Sequence, residues 1–334
     1  MKANFMQLKI GIIGLGRIGK IHYSHIRHQI PEAEVVMVSD VDKNGLPRDV
    51  KHGNAEELIA HPDIDAVVIC SPTDTHSAYV EECARRGKHV FCEKPLDLSL
   101  ARIRETLKVV RQHNIQLMLG FNRRFDANFV KLKTLVDTGK IGDVQLVKIT
   151  SRDPAPPSVA YLKSSGGLFL DMTIHDFDMA RYVMGKEVKE VYAAASVLTG
   201  GAVAEAGDID TAVVTLKFED DSMAVIDNSR KAVYGYDQRL EVFGSKGMAH
   251  VENNKPDSHV YYHEEGVASA LPLHFFMDRY TTSYLTEMKA FVRSVQEKQP
   301  VPVGGSDGLK AALIAVAAQQ SVEKNAPVAL AGGE

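Results

Sequence analysis

The feature that most constrains the fold is an alternation of short apolar runs and helical patterns over the first 121 residues. Each apolar run predicts a strand buried on both faces, and the segments between the runs have the apolar spacing of helices. Strands that alternate with helices predict a parallel, doubly wound sheet of the α/β class. We place this domain at residues 1–122. The five apolar runs are residues 9–14, 34–40, 65–70, 88–93 and 115–121.

One crossover departs from this pattern. Residues 43–60 contain few apolar side chains and include Gly45, Pro47 and Gly53. Glycine and proline interrupt helices, so we expect a reduced or irregular helix there.

The second half of the chain has a different rhythm, with long strand-like segments and turn signals at EDDS and GSKG. These features predict a mostly antiparallel sheet in an α+β domain, residues 123–334. We expect this domain to bind substrate and to carry the oligomer contacts. Residues 211–227 alternate apolar and polar along part of their length, so one sheet face needs cover from another subunit. We expect the last helix to pack back toward the first domain. The predicted helices are residues 166–178, 284–298 and 306–324.

Composition limits the class of function. The net charge is only −4 with 25% charged residues, which gives no basic surface for nucleic acid. The first residues lead directly into an apolar run without a signal-peptide core, and no apolar stretch is long enough to span a membrane. Cys70, Cys83 and Cys92 contain no CxxC pair and suit a reducing compartment. We expect a cytoplasmic protein that binds neither nucleic acid nor membranes.

Three glycines directly after the first apolar run have the spacing G-x-G-x-x-G. Alone, this spacing also fits a glycine-rich turn without a ligand, but between a strand and a helix it predicts dinucleotide binding. Gly14 allows the tight turn, Gly16 lets a pyrophosphate approach the backbone, and Gly19 lets the helix pack closely on the strand. The helix N-terminus adds N–H groups and a partial positive charge. The predicted cofactor residues of this loop are Gly14, Gly16, Arg17, Ile18 and Gly19.

The end of the second apolar run indicates which dinucleotide binds. Asp40 lies 21 residues after Gly19, where a carboxylate can accept hydrogen bonds from the adenosine ribose hydroxyls. The same negative charge would repel a 2′-phosphate. Asp40 also fits an ordinary turn residue. We favour the cofactor interpretation and predict NAD rather than NADP.

A lysine follows the fourth apolar run. Pro95 has no N–H group to donate, so the strand should end before it and leave Lys94 at the strand's carboxyl end. The carboxyl ends of strands in a doubly wound sheet form the ligand crevice. Lys94 would therefore point toward the nicotinamide end of the cofactor, whereas the alternative is a surface lysine in a loop.

The apolar segment of residues 166–178 contains three ionisable side chains at steps of four and three, Asp171, His175 and Asp178. On a helix these side chains share one face. Burying each of them costs roughly several kcal/mol unless it has a partner or a task. The segment therefore marks a candidate site.

Five motifs, GLGRIG, SPTDTH, FCEKPL, GFNRRFD and GGLFLDMTIHDFDMARY, together resemble those of the glucose-fructose oxidoreductase and inositol dehydrogenase family over nearly the whole chain. SRDPAPP and YGYDQRLEVFGSKG resemble its inositol 2-dehydrogenase branch. The resemblance implies a Rossmann domain, an open-faced second domain, a homotetramer and NAD-dependent oxidation of a cyclic polyol to a ketone. Myo-inositol, giving 2-keto-myo-inositol, is the first expectation. The alternatives are another isomer, such as scyllo-inositol, or a pyranose sugar.

The resemblance also implies roles for individual residues. The implied catalytic residues are Lys94, Asp171 and His175. The implied further cofactor residues are Ser71, Pro72, Thr73, His76 and Glu93. The implied substrate residues are Lys94, Arg123, Asp153, Asp171, His175, Asp178 and Tyr236.

The three ionisable residues of the apolar segment have three interpretations. Asp171 and His175 alone fit an exposed ion pair, worth only about a few tenths of a kcal/mol. With Asp178 they could hold zinc or manganese, but no cysteine or second histidine lies nearby in the sequence. We favour the third, in which Asp171 orients His175, which removes the hydroxyl proton as hydride leaves, while Lys94 stabilises charge on the oxygen. No metal is expected.

A different class of function is a protein that senses a dinucleotide or sugar without turnover, since a fold alone does not define an activity. The complete lysine, aspartate and histidine set argues against it. Steady NADH production from a polyol would separate the two classes.

Overall fold

The computed structural model describes residues 7–330, and the chain forms two compact units. One unit contains the chain up to Phe125 together with Thr282–Leu309, and the other contains Asp126–Thr281 and the chain from Lys310 onward. In the described part of the chain, every helix is too short or too polar to cross a membrane.

The helices and strands alternate through the first 125 residues and then become more varied. The first group is β1 (Leu8–Ile13), α1 (Arg17–Gln29), β2 (Ala33–Ser39), β3 (Lys51–His52), α2 (Ala55–Ala60), β4 (Ala66–Ile69), α3 (His76–Arg85), β5 (His89–Cys92), α4 (Leu100–His113) and β6 (Leu117–Leu119). The second group is α5 (Ala127–Asp137), β7 (Val144–Arg152), α6 (Val159–Ser164), α7 (Ile174–Met184), β8 (Val188–Ser196), α8 (Ala202–Ala206), β9 (Thr211–Phe218), β10 (Met223–Ser229), β11 (Asp237–Gly244), β12 (Gly247–Val251), β13 (Val260–His263), β14 (Gly266–Ser269), α9 (Phe276–Glu297), α10 (Gly305–Lys324) and β15 (Val328–Ala329).

The first unit is built on a six-stranded parallel sheet with the strand order β3-β2-β1-β4-β5-β6. This is the strand order of the Rossmann fold. β4 is buried at all of its positions, as a strand covered by helices on both faces must be. The prediction of a doubly wound parallel sheet is confirmed.

The crossover between β2 and β4 is reduced, as predicted from its lack of apolar residues. It consists of the two-residue β3 and the six-residue α2. A capping box starts α2, in which the Asn54 side chain accepts from the Glu57 N–H and the Glu57 carboxylate accepts from the Asn54 N–H. Local capping therefore supports a helix too short to be stable by itself.

The core of the first unit includes side chains from far along the chain. Met288, Phe291, Val292 and Val295 of α9 belong to the same buried apolar cluster as the side chains of β1 and β2. The ring of Phe291 lies edge-on to that of Phe91 on β5, with 5.8 Å between centroids. The first unit is therefore completed by a segment near the end of the sequence.

The second unit contains a seven-stranded sheet with the order β12-β11-β7-β10-β9-β8-β15. Its neighbours are antiparallel except β7 and β10, which run parallel. The sheet is thus mostly antiparallel, as predicted, and the parallel pair is the exception. Half-buried strands alternate apolar and polar residues whether they pair in parallel or antiparallel, so the sequence pattern does not reveal that β7 and β10 are parallel.

One face of this sheet is covered and the other carries exposed apolar side chains. Along β9, Ala212 and every second residue after it are buried, whereas Val213 on the opposite face is 49% exposed. On that opposite face, strand register aligns four apolar side chains of neighbouring strands in one row. The row consists of Met223, Leu146, Phe243 and Met248.

Several elements differ from the sequence prediction. The predicted helix of residues 284–298 begins earlier, at Phe276, and the helix predicted at residues 306–324 is α10. Helices α5, α6 and α8 and the exposed β13–β14 hairpin were not predicted. The predicted helix of residues 166–178 is found, but its first part is a π-helical turn, Phe169–Thr173, followed by α7.

Candidate functional site

The three glycines of the phosphate loop differ in what surrounds them. Gly14 has φ +87°, and a Cβ there would lie 2.6 Å from the backbone of Cys70 and Ser71. A Cβ on Gly19 would lie 1.9 Å from the carbonyl oxygen of Gly14. A Cβ on Gly16, by contrast, would have no protein atom within 4 Å. The protein's own backbone requires glycine at two positions, and the third leaves the loop backbone open to a ligand, which fits a pyrophosphate.

The first helix begins at this open glycine. Gly16 is the N-cap of α1, no side chain caps the helix, and the first turn contains no acidic residue. Arg17 is exposed and Ile18 half-buried at this end. The backbone N–H groups and the partial positive charge of the helix are therefore presented to an anion, as a bound dinucleotide phosphate requires.

Asp40 lies at the end of β2, beside the phosphate loop. Its Oδ2 accepts from the Leu15 N–H at 2.5 Å, and its Oδ1 accepts from the Asp42 N–H at 2.8 Å. A carboxylate has about four acceptor directions, so two remain for a diol. Asp40 therefore combines a structural role in the loop with the position expected for a ribose contact.

The segment after β4 contains Ser71, Pro72 and Thr73, which are half-buried or exposed, followed by His76, which is buried. The Nε2 of His76 lies 2.8 Å from the Ser71 carbonyl oxygen, and its Nδ1 lies 2.8 Å from that of Pro95. The imidazole thus uses both nitrogens within the protein. Its geometry fits a residue that joins two loops rather than one that contacts the dinucleotide directly.

Lys94 follows β5, which ends at Cys92 as predicted from the proline. Lys94 is half-buried, and the Lys94–Pro95 peptide bond is cis. Arg123 lies in a short 3₁₀ turn after β6 and is 5% exposed. Both basic residues therefore follow the carboxyl ends of parallel strands, where a doubly wound sheet binds its ligands.

A buried polar cluster not predicted from the sequence lies in the first unit. Over residues 7–330, His22, Cys70 and Glu93 form the one group of metal-ligand side chains whose ligand atoms all lie within 4.8 Å of one another. His22 Nε2 lies 3.0 Å from Glu93 Oε1. Burial, and then the charge of Glu93, raise the pKa of the fully buried Glu287 well above its usual range. This shift favours the protonated form of Glu287.

In the second unit, Asp171 is held by two donors. The Tyr161 hydroxyl donates to Oδ1 at 2.8 Å, and the Arg230 guanidinium donates to Oδ2 at 3.2 Å. Arg230 is 1% exposed and also lies 3.7 Å from Asp208. A buried arginine requires such counter-charges, and its hydrogen bond fixes the position of the Asp171 carboxyl group.

The helical geometry around Asp171 is not regular. Asp171 lies in the π-helical turn and His175 in the first turn of α7, so their four-residue spacing spans the junction between two helix types. π-helical turns are rare and occur frequently at functional sites. Asp178 is 1% exposed, and the neighbouring Asp176 accepts from the Asn228 amide at 3.0 Å.

Two further predicted substrate residues, Asp153 and Tyr236, lie in the second unit. The Asp153 N–H donates to the Ser229 carbonyl, and the Ala232 N–H donates to the Asp153 carbonyl, which fixes this residue beside the end of β10. Tyr236 is 6% exposed, and its ring packs edge-on against Tyr280.

Sequence reasoning missed Tyr161 and Arg230. Tyr161 lies ten residues before Asp171 and Arg230 lies 59 residues after it. The only available signal was that an arginine directly follows an apolar strand. Its meaning depends on the strand pairing that brings Arg230 to Asp171.

A cavity of about 490 Å³ also occurs in the second unit, and two of its lining residues, Tyr234 and Asp237, flank the predicted Tyr236 in the sequence. The buried Asp237 of its lining already accepts from Tyr234, Arg239 and Asn253. This carboxylate is therefore engaged within the protein. Its lining residues are Tyr234, Asp237, Arg239, Glu252, Asn253, Lys255 and Pro272.

Comparison with known families gives two matches. Residues 8–121 match the oxidoreductase family described as having an NAD-binding Rossmann fold. Residues 129–250 match the GFO/IDH/MocA C-terminal domain. The first match agrees with the phosphate-loop geometry and identifies the cofactor as NAD.

Comparison with individual proteins covers nearly the whole chain. A myo-inositol 2-dehydrogenase of Thermotoga maritima is 49% identical over 331 residues, covering 97% of this chain and 98% of that protein. An inositol 2-dehydrogenase of Rhizobium meliloti is 45% identical, covering 98% and 100%. The crystal structure of scyllo-inositol dehydrogenase from Lactobacillus casei with NAD(H) and scyllo-inositol has a TM-score of 0.90 at 36% identity, covering 97% and 99%.

Proposed function

Because the chain belongs to the GFO/IDH/MocA family of NAD-binding oxidoreductases, we propose that it oxidises a cyclic polyol, with myo-inositol as the substrate and 2-keto-myo-inositol as the product. The observation that carries this proposal is the 49% identity, over 97% of the chain, to a protein named myo-inositol 2-dehydrogenase. The three glycines of the phosphate loop support the NAD-dependent part of the reaction.

The oxidation requires removal of a hydroxyl proton and a hydride. NAD, when bound, supplies the hydride acceptor. We assign His175 the role of general base, because an imidazole has an ordinary pKa of about 6.5 and accepts a proton near neutral pH. Asp171, which accepts from Tyr161 and Arg230, is assigned to support the positive charge that forms on the imidazole.

Lys94 is assigned to the substrate oxygen. A cationic donor near that oxygen stabilises negative charge as it develops there. Its placement after β5 fits this role. The other residues assigned to the polyol are Arg123, Asp153, Asp178 and Tyr236.

The proposal is tested with a panel of inositols and pyranose sugars, with NAD as cofactor and NADH absorbance as the readout. The expected result is steady turnover with the highest kcat/KM for myo-inositol. Tight NAD binding without turnover on any member would favour a sensing protein and contradict the proposal. A second candidate substrate is scyllo-inositol, since the solved structure named above is that of a scyllo-inositol dehydrogenase that matches 97% of this chain. A kcat/KM higher for scyllo-inositol than for myo-inositol would identify scyllo-inositol as the substrate.

We further propose that the protein is a cytoplasmic homotetramer assembled through the exposed face of the seven-stranded sheet. The row formed by Met223, Leu146, Phe243 and Met248 supports this, because contiguous exposed apolar side chains mark interaction surfaces. Light scattering at micromolar concentration should give the mass of an oligomer, and Phe243→Glu should lower it. A monomeric wild-type protein would contradict the assembly.

A further inference from the structure

Tyr161 is an exposed side chain that contacts Asp171, one of the proposed catalytic residues of the second unit. It lies in α6, whose N-cap is Ser158, and 48% of its surface is exposed. Its hydroxyl donates to Asp171 Oδ1 at 2.8 Å. The hydroxyl group is therefore held by a carboxylate, while part of the side chain is exposed.

Arg230 holds the acceptor of the Tyr161–Asp171 hydrogen bond in place. The buried guanidinium, which carries donors only, donates to Asp171 Oδ2. The Tyr161 hydroxyl donates to the other oxygen, Oδ1. Burial, and then the charge of Asp171, raise the pKa of Tyr161 above its usual range, so the phenol keeps this proton at neutral and moderately alkaline pH.

This arrangement leaves the phenol oxygen with acceptor capacity only. A hydroxyl group has one donor hydrogen and two acceptor lone pairs, and here the donor is committed to Asp171. A second acceptor of this part of the unit is Asp153, whose backbone N–H donates to the carbonyl of Ser229, the residue before Arg230. The protein groups here are hydrogen-bond acceptors, so a ligand bound here must supply the donors. The adjacent hydroxyl groups of a polyol do so.

We propose that Tyr161 is a specificity-determining residue whose phenol oxygen accepts a hydrogen bond from one hydroxyl of the cyclic polyol, and that Arg230 is the positioning residue that holds Asp171 in place. The proposal rests on the proposed polyol oxidation. The hydroxyl that donates to Tyr161 differs from the one being oxidised, because the oxidised hydroxyl gives its proton to His175. A site built to bind a hydroxyl rejects an analogue that lacks it.

The test compares wild type and Tyr161→Phe on myo-inositol and on monodeoxy analogues, each lacking one hydroxyl. On myo-inositol, Tyr161→Phe should lower kcat/KM by about two- to tenfold, which corresponds to one neutral hydrogen bond. For wild type, kcat/KM should be lower by a similar factor on one of the deoxy analogues than on myo-inositol. For Tyr161→Phe, kcat/KM should be the same on that analogue as on myo-inositol. Tyr262→Phe, at a tyrosine 75% exposed on the β13–β14 hairpin, is the matched control and should behave as wild type.

Arg230→Lys gives a second measurement. It keeps the positive charge beside Asp171, so it should retain the wild-type pattern across the deoxy analogues even where its overall rate is lower. If Tyr161→Phe instead lowers kcat/KM by the same factor for every analogue, the residue supports Asp171 without contacting substrate, and the proposal is wrong. If wild type binds NAD but oxidises no polyol, the proposed function fails, and that result is distinct from uniform loss in an active enzyme.

Discussion

Replacing two glycines of the phosphate loop by alanine should change two different properties: NADH affinity for Gly16→Ala and stability for Gly19→Ala. At Gly16 the new methyl group would meet no protein atom within 4 Å, and φ is −62°, which alanine adopts without strain. We expect the free energy of unfolding to change by no more than about 0.5 kcal/mol, as at other open surface positions. At Gly19 the methyl group would lie 1.9 Å from the Gly14 carbonyl oxygen, a backbone atom that must move.

The effects on NAD follow from these contacts. A methyl group on Gly16 would displace a phosphate from the backbone N–H groups of α1, and one hydrogen bond to a charged group is worth about 1.5–3 kcal/mol. The Kd for NADH should therefore rise about 10- to 150-fold. Overpacking at Gly19 should cost about 1–3 kcal/mol of stability, which lowers the melting temperature by several degrees.

NADH fluorescence titration and thermal unfolding measure the two quantities. The chain contains no tryptophan, so the nicotinamide signal is observed without protein-derived energy transfer from indole. Gly16→Ala with wild-type NADH affinity would refute the placement of the pyrophosphate. Gly19→Ala with wild-type stability would refute the close approach of α1 to the loop.

Three further results are expected. Asp40→Ser should narrow the preference for NAD over NADP in kcat/KM, and it should also destabilise the loop because Leu15 loses an acceptor; a wild-type preference for NADP would contradict the assignment. His175→Ala should lower kcat by about 10²–10⁴-fold with NADH affinity unchanged, and wild-type rates across the pH range would show that the base lies elsewhere. Burial, and then the charge of His22, lower the pKa of His25 to about 4, so between about pH 6.5 and pH 4 the unfolded chain binds a proton that the folded protein does not. The free energy of unfolding should therefore fall by up to about 3 kcal/mol as the pH drops through this range. If the free energy of unfolding of His25→Gln depends on pH as steeply as that of wild type, this expectation is wrong.

The phosphate loop could be predicted because its determinants are local. Gly14, Gly16 and Gly19 lie within six residues, Gly14 has a positive φ, and Gly19 is constrained by the carbonyl oxygen of Gly14. The same holds for the end of β5, where Pro95 lacks a donor. Such features depend on chain geometry over a few residues and leave a direct trace in the sequence.

The support of Asp171 could not be predicted in the same way. Arg230 reaches it from the end of β10, and the register of that strand is not encoded in any local pattern. The parallel pairing of β7 and β10 was missed for the same reason. The β13–β14 hairpin was missed because all its residues are exposed, so it has no alternation of burial to detect. By contrast, α5 had a detectable signal, since Asp126 caps it by accepting from the N–H groups of Asn128 and Phe129.

The completion of the first unit by α9 has a consequence for biosynthesis. A ribosome delivers the chain from the N-terminus, so β1 to β6 emerge long before Met288, Phe291 and Val292, which fill the same core. During this interval the parallel sheet lacks part of its apolar cover, which is a state prone to aggregation. A chain released prematurely before Thr282 would keep that surface exposed, which would mark it for chaperones and proteases, whereas the finished chain buries it.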